Sequence, residues 1–191
     1  MAVKKRPDIR FLYNIKAVIY DQNWLKKTGN FEIYYMYRGI KKKGELRYDE
    51  TLILPKMFGQ EFSKTLGHGH SKSFQEVYQV LKGKAIFLLQ KYREGKIEDI
   101  YAVKAKTGQI IIVPLYYGHV TINPTRKELK ISNWVSEKCE NSYSLFKKFR
   151  GACYYYTKKG WIKNKNYKKV PKLRFKKPLK KLPKNLDFLK G

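Results

Sequence analysis

The sequence predicts an all-β protein folded as a jelly-roll barrel with short helices, and three observations carry that prediction. Short β-branched and aromatic runs, broken by Gly, Pro and Lys/Asp turns, recur along the 191 residues. No segment keeps a helical period for long, and nothing repeats at a solenoid spacing. Hydrophobic residues at 42% and aromatics at 15% are enough to fill one core.

In chain order, strands are expected at 11–20, 32–37, 51–54, 61–67, 76–81, 85–90, 97–105, 109–114, 119–123 and 129–135. Turn residues punctuate them: Pro55 follows the third, Gly67 closes the fourth, and Gly83, Gly108 and Pro124 close later ones. Their number and spacing suit a jelly roll. Helix is expected only as short trimmings at 23–27 and 143–149. Residues 1–157 read as the barrel domain. Residues 158–191, with three prolines, many lysines and isolated Trp, Tyr, Leu and Phe anchors, read as an extended basic arm.

Composition excludes several classes. The apolar runs at 85–89 and 110–117 fall far short of the ~18 residues that span a bilayer. MAVKKRPDIRF has charge but no apolar region behind it, so a cytoplasmic chain is expected, without a secretory signal. Cys139 and Cys153 lack C-x-x-C spacing and read as structural or incidental. The formal charge of +28 raises nucleic acid as a partner, and the segment 158–191 carries fourteen of the 43 Lys and Arg against the single acid Asp187. Lysine far outnumbers arginine, as A/T-rich coding would favour. Nucleic acid is therefore not the expected main partner. A positive field would still help to capture a phosphorylated substrate, within a screening length of about 10 Å.

The chemistry concentrates on the histidines. There are three, and two of them stand in Gly67-His68-Gly69-His70 at the end of an expected strand. Residues i and i+2 of a strand share a face, so His68 and His70 can present two imidazoles side by side, with glycines leaving room around them. Glu76 follows where a loop can return a carboxylate beside them, and His119, after Pro114 and Gly118, can open an antiparallel strand. An isolated His-x-His would be surface decoration. Here no histidine is left unplaced, and three imidazoles with one carboxylate suit Fe(II), Mn(II), Ni(II), Co(II) or Zn(II) with positions open for substrate.

These spacings resemble the two motifs of the cupin superfamily. GHGHSKSFQEVYQVLKG supplies Gly67, His68, His70, Glu76 and Gly83; GQIIIVPLYYGHVTIN supplies Gly108, Pro114, Gly118, His119 and Asn123. The departures are a longer first loop, with five residues between His70 and Glu76, and Tyr117 beside Gly118. Beyond the motifs the chain resembles the cupin-type glucose-6-phosphate isomerase family of archaea and some bacteria. Thr51, Thr65-Leu66-Gly67-His68, Glu76-Val77-Tyr78 and the His119, Thr121, Asn123 pattern carry that likeness, which covers residues 20–145. The resemblance implies a cupin double-stranded β-helix, a single divalent metal with Fe(II) first, a sugar phosphate as ligand, and a homodimer. It implies phosphate contacts from Thr51, Thr65, the Gly67 backbone and Tyr78, with Tyr34 closing the pocket. Tyr143 stands near positions where some members carry a tyrosine and a histidine, here Val135 and Asn141.

The chemistry so implied is interconversion of glucose 6-phosphate and fructose 6-phosphate in glycolysis and gluconeogenesis, with Glu76 and Tyr78 as the catalytic pair. Glu76 would act as base on an enediol route. On a direct hydride shift it would only hold the metal or move a hydroxyl proton. Both routes stay open at this level. A different sugar-phosphate isomerase or epimerase, or a cupin oxygenase, would use the same ligands. A non-enzymatic alternative is a regulatory cupin that grips nucleic acid through the basic arm.

Overall fold

The computed structural model describes residues 6–70 and 74–191. The first five residues of the N-terminal stretch, and residues 71–73 of the loop between the first histidines and Glu76, lie outside the described residues. The remainder is a strand-rich barrel whose elements follow in order. Asp8–Phe11 (β1), Glu32–Lys43 (β2) and Leu46–Ile53 (β3) come first, then the short Met57–Phe58 (β4), Glu61–Phe62 (β5) and Gly69–His70 (β6). Glu76–Lys82 (β7), Lys84–Arg93 (β8), Lys96–Lys106 (β9), Ile110–Val113 (β10), Tyr117–Ile122 (β11) and Leu129–Ser136 (β12) form the body. Asn141–Ser142 (β13), Tyr154–Thr157 (β14), Gly160–Lys163 (β15) and Arg174–Lys176 (β16) complete the chain, with helices at Gln22–Lys26 (α1) and Ser144–Lys148 (α2).

Two sheets, antiparallel apart from β16, enclose the core, as the jelly-roll expectation requires. One runs β1-β2-β3-β12-β7-β10 and the other β11-β8-β9-β16. Interleaving of late and early strands is what brings distant segments together: β12 lies between β3 and β7, and β11 lies on β8. Side chains alternate across each sheet, so Leu129 and Ile131 of β12 point inward with Ile53 and Val80 into one buried cluster. The β8–β9 hairpin closes through Glu94 and Gly95, both at positive φ, the backbone that matches strand twist in a two-residue turn.

Besides β3, which starts at Leu46 and not at residue 51, two expected strands come out differently. Within 11–20 only the start is extended; Leu12–Val18 is a 3₁₀ helix, and Leu12, Ile15 and Val18 are its buried positions. That spacing of three is the 3₁₀ period, and it overrides the β-branched composition. Asn14 Oδ1 accepts from Phe11 N at 2.8 Å and secures its first turn. Within 61–67 the strand stops at Phe62, after which Lys64 and His68 make isolated bridges to Ile122 and His119. Gly67 has φ +84, and a Cβ there would collide with Val120 and Phe146, so the chain bends where it passes under β11.

Residues 158–191 lie along the barrel. They begin in the β14–β15 turn, bury Tyr167, and add β16 in parallel to β9. Leu179 then exchanges backbone hydrogen bonds with Ile110 of β10, and Leu186 and Leu189 pack against Leu46, Val77 and Ile110. One edge strand of each sheet is thereby covered. No helix among the described residues is long and apolar enough to cross a membrane.

Beneath the barrel, buried Lys64 ties the 3₁₀ segment to β5. Its Nζ donates to Glu61 Oε1 at 2.5 Å and to Val18 O at 2.6 Å, while Glu61 Oε2 accepts from Tyr20 N at 2.9 Å. Removing one partner strands the other charge in an apolar setting. Lys64→Met should therefore cost about 3–5 kcal/mol in urea unfolding, with part of the loss recovered in the Lys64→Met/Glu61→Leu double variant. An unchanged midpoint for the single variant would show that the pair carries no such weight.

Candidate metal centre

Backbone pairing places the first two imidazoles. His68 and His119 exchange both N–H···O bonds, at 3.1 and 2.8 Å, as directly opposed residues of an antiparallel bridge. Their side chains consequently leave on one face, with ring centroids 4.3 Å apart. His70, two residues on, follows on the same side at 5.6 Å from the His68 ring. Glu76 enters from the first residue of β7 in the opposite sheet.

The carboxylate is the meeting point. Glu76 Oε2 lies 3.3 Å from His119 Nε2, 3.4 Å from His70 Nε2 and 3.8 Å from His68 Nε2. The ligand atoms of His68, Glu76 and His119 all fall within 4.8 Å of one another. His70 stands just outside that set and touches it through the carboxylate. Its Nδ1 is 2.8 Å from Phe74 O, which directs Nε2 inward. The other oxygen, Glu76 Oε1, accepts from Asn133 Nδ2 at 2.7 Å. Glu76 Oε2 and His70 Nε2 are buried with no hydrogen-bond partner, and a cation is the group that would satisfy both.

Electrostatics agree with a cation site. Burial, followed by the charges of His70, Arg38 and Arg47, lowers His68 to about 3. Burial and the two neighbouring imidazoles hold His119 well below its ordinary value. Both rings are therefore neutral and offer lone pairs. For His70 burial works against the charged form, but the closeness of Cys139 and Glu76 on its acceptor-rich side outweighs it and lifts the ring to about 10. A proton there balances the Glu76 charge, and a divalent ion would compete with it for the same nitrogen. Burial, then the Glu76 charge and hydrogen bond, raise Tyr78 well above the phenol range, and its hydroxyl lies 3.0 Å from His119 Nε2. Tyr78 is thus a standing phenol, a hydrogen-bond donor instead of a base.

One cavity opens over these groups, and the structure brings the expected residues to it. Tyr34, Thr51, Thr65, Gly67, Tyr78 and Tyr143 all line it with His68, Glu76 and His119. Thr65 Oγ1 accepts from Thr121 N at 3.1 Å, which leaves the hydroxyl proton to donate. Burial pushes Tyr34 up to about 12, so it too stays protonated. Asn141 also lines the cavity and pairs across from His70, whereas Val135 is buried with Phe74 and Cys139. Cys139 bears on the site through His70, while Cys153 belongs to the main core.

Sequence reasoning missed Asn133, Arg38, Arg47 and Asp49, all of which line the same cavity. The available signal was parity. Asn133 shares its face with Leu129 and Ile131, and Arg47 and Asp49 share theirs with Thr51, so polar residues stand at inward positions of the strands. The third strand was expected to start at residue 51, whereas it starts at Leu46, and that late start hid the two charged residues.

The model of the family described as "Glucose-6-phosphate isomerase (GPI)" matches residues 4–172. Over 124 residues the chain is 36% identical to a glucose-6-phosphate isomerase of Thermococcus litoralis, covering 62% of this chain and 63% of the relative. Over 121 residues it is 36% identical to one of Pyrococcus abyssi, covering 60% and 62%. The match thus spans less than two thirds of either relative's length. Among solved structures, an oxalate oxidase in complex with the substrate analogue glycolate is similar at a TM-score of 0.48 and 12% identity, over 61% of this chain and 57% of that one.

Asn133 is the residue on which the carboxylate's orientation rests. Asn133→Ala should weaken divalent-metal binding by roughly ten- to hundredfold without loss of fold, read by isothermal calorimetry with circular dichroism as control. Wild-type affinity in that variant would dismiss the orienting role.

Proposed function

The chain belongs to the glucose-6-phosphate isomerase family, and from that premise we propose that it interconverts glucose 6-phosphate and fructose 6-phosphate with a divalent ion held by His68, His70, Glu76 and His119. The observation that carries the reading is the convergence of His68, Glu76 and His119 on one cavity shared with Thr51, Thr65 and the Gly67 backbone. Hydroxyls and backbone N–H groups are donors suited to a phosphate. His70 joins the set because its Nε2 is buried and has no hydrogen-bond partner beside the carboxylate. Nitrogen-rich donors with one carboxylate favour iron(II) among the candidates, with manganese, nickel, cobalt and zinc able to substitute.

A bound ion would act as a Lewis acid toward the sugar's carbonyl and hydroxyl oxygens. The protein's own groups set the geometry. Thr51 and Thr65 fix the phosphate, Tyr34 donates from the wall, and Tyr78 donates to a sugar oxygen near C1 or C2. Glu76 has one oxygen held by Asn133, and the other, buried against the imidazoles, is the one a bound cation would take. A carboxylate so held is poorly placed to strip the C2 proton. The hydrogen therefore passes from C2 to C1 within the substrate, while the hydroxyl proton moves between the two oxygens.

Two measurements test this. In a coupled assay run without oxygen, chelation should abolish interconversion and iron(II) should restore it best; activity indifferent to chelation in metal-free protein would refute the proposal. With C2-deuterated glucose 6-phosphate, the label should be retained at C1 of the product. Washout into solvent would return Glu76 to the role of base.

A further inference from the structure

We propose that Arg47 is a substrate-contacting residue whose guanidinium takes the oxygens at the C1–C2 end of the sugar phosphate, opposite the end held by Thr51 and Thr65; this rests on the function proposed above. The argument begins with strand register. β3 turns Arg47, Asp49 and Thr51 to the cavity in alternation, and they pair with Val135, Asn133 and Ile131 of β12. Asn133 pairs in turn with Tyr78 of β7. Continuing that register by one inward residue sets Glu76 level with Val135 and Arg47. Thr51 and Arg47 are thus separated by four residues, about 13 Å of strand. With side chains reaching in from both ends, that span suits a six-carbon sugar phosphate whose reacting end lies at the level of Glu76.

Arg47 is also prepared for such a role. Its Nε donates to Asp49 Oδ2 at 3.1 Å, and Asp49, 4% exposed, is itself fixed by Gly39 N donating to Oδ1 at 2.7 Å. Anchorage through Nε orients the guanidinium plane. Among the described residues the two Nη groups have no hydrogen-bond partner, and the side chain, 21% exposed, lines the cavity. This is the geometry in which an arginine offers a two-pronged donor to neighbouring oxygens. Arg38, the other arginine on this cavity, is drawn to Asp8 and Asp49, and Tyr78 is an uncharged donor. Val135 is apolar and packed with Phe74, and the Asn133 amide is engaged by Glu76. Negative charge that develops on the C1 and C2 oxygens would meet a fixed positive fork, an interaction that strengthens in the transition state.

The test compares the metal-loaded wild-type chain with Arg47→Lys, which keeps a charge beside Asp49, and with Arg47→Gln. Both should retain wild-type metal content. In both, kcat/KM for glucose 6-phosphate should fall roughly ten- to hundredfold. Calorimetric affinity for gluconate 6-phosphate, a non-isomerising sugar acid, should fall by a similar factor, while affinity for inorganic phosphate stays unchanged. Rates and sugar-acid affinity within about twofold of wild type would overturn the assignment. So would a parallel loss of inorganic phosphate binding, which would put Arg47 at the phosphate end. If Arg47→Gln fails to fold, Arg47→Lys decides alone. If wild type does not interconvert the sugar phosphates with any metal, the proposed function fails. The gluconate 6-phosphate affinities then decide the role of Arg47: loss in the variants upholds it, and equal or absent binding overturns it.

Discussion

The structure around the cavity depends on a single constraint, that the Glu76 carboxylate is removed from water and must be compensated. Its side chain is 4% exposed, a depth at which an uncompensated charge is costly. Compensation comes from Asn133 on one oxygen and from the imidazoles around the other. Through these contacts Glu76 of β7 is tied to Asn133 of β12 and to the His68–His119 bridge. The same requirement explains why a buried polar row survives in an otherwise apolar barrel. A hydrophobic replacement at Glu76 would relieve the constraint, but it would leave the inward imidazoles of the His68–His119 bridge without the anion they surround.

Much of this was legible in the sequence, and the illegible remainder has physical causes. His68, His70, Glu76 and His119 could be grouped because strand parity and two glycine-bounded turns place them without knowledge of the wider fold. Thr51 and Thr65 reach the cavity as expected, and Tyr34 and Tyr143 stand on its wall. Asn133 was invisible because its importance comes from a partner 57 residues away across a strand pair. Arg47 and Asp49 were missed because inward-facing polar residues erase the apolar alternation that identifies a strand, so its start was set too late. The 3₁₀ segment at Leu12–Val18 was misread for the opposite reason: its composition is strand-like, and only the spacing of Leu12, Ile15 and Val18 betrays the tighter coil.

Charge has more than one use in this molecule. The lysine-rich surface raises the local concentration of anions but is screened over about 10 Å. Lys64 and Arg47 are different objects. Each is held by a carboxylate with little access to solvent, and each therefore acts at fixed range. The formal charge of +28 thus says little by itself about what the protein recognises. A few desolvated cations among the 43 basic residues carry the local meaning.

The segment that covers the barrel edges also sets an order in time. Arg174 pairs with Tyr101, and Leu179 pairs with Ile110, so each edge waits about seventy residues of synthesis for its cover. At the usual pace of about 5–20 residues per second, β9 and β10 are exposed for several seconds on every nascent chain. During that interval the bare β9 edge, which carries Lys104 and Lys106, relies on like-charge repulsion to keep neighbouring chains from pairing with it, whereas β10, all apolar, has no such guard of its own. The lysines of β9 then have a purpose in the newborn chain that is no longer visible once β16 has docked.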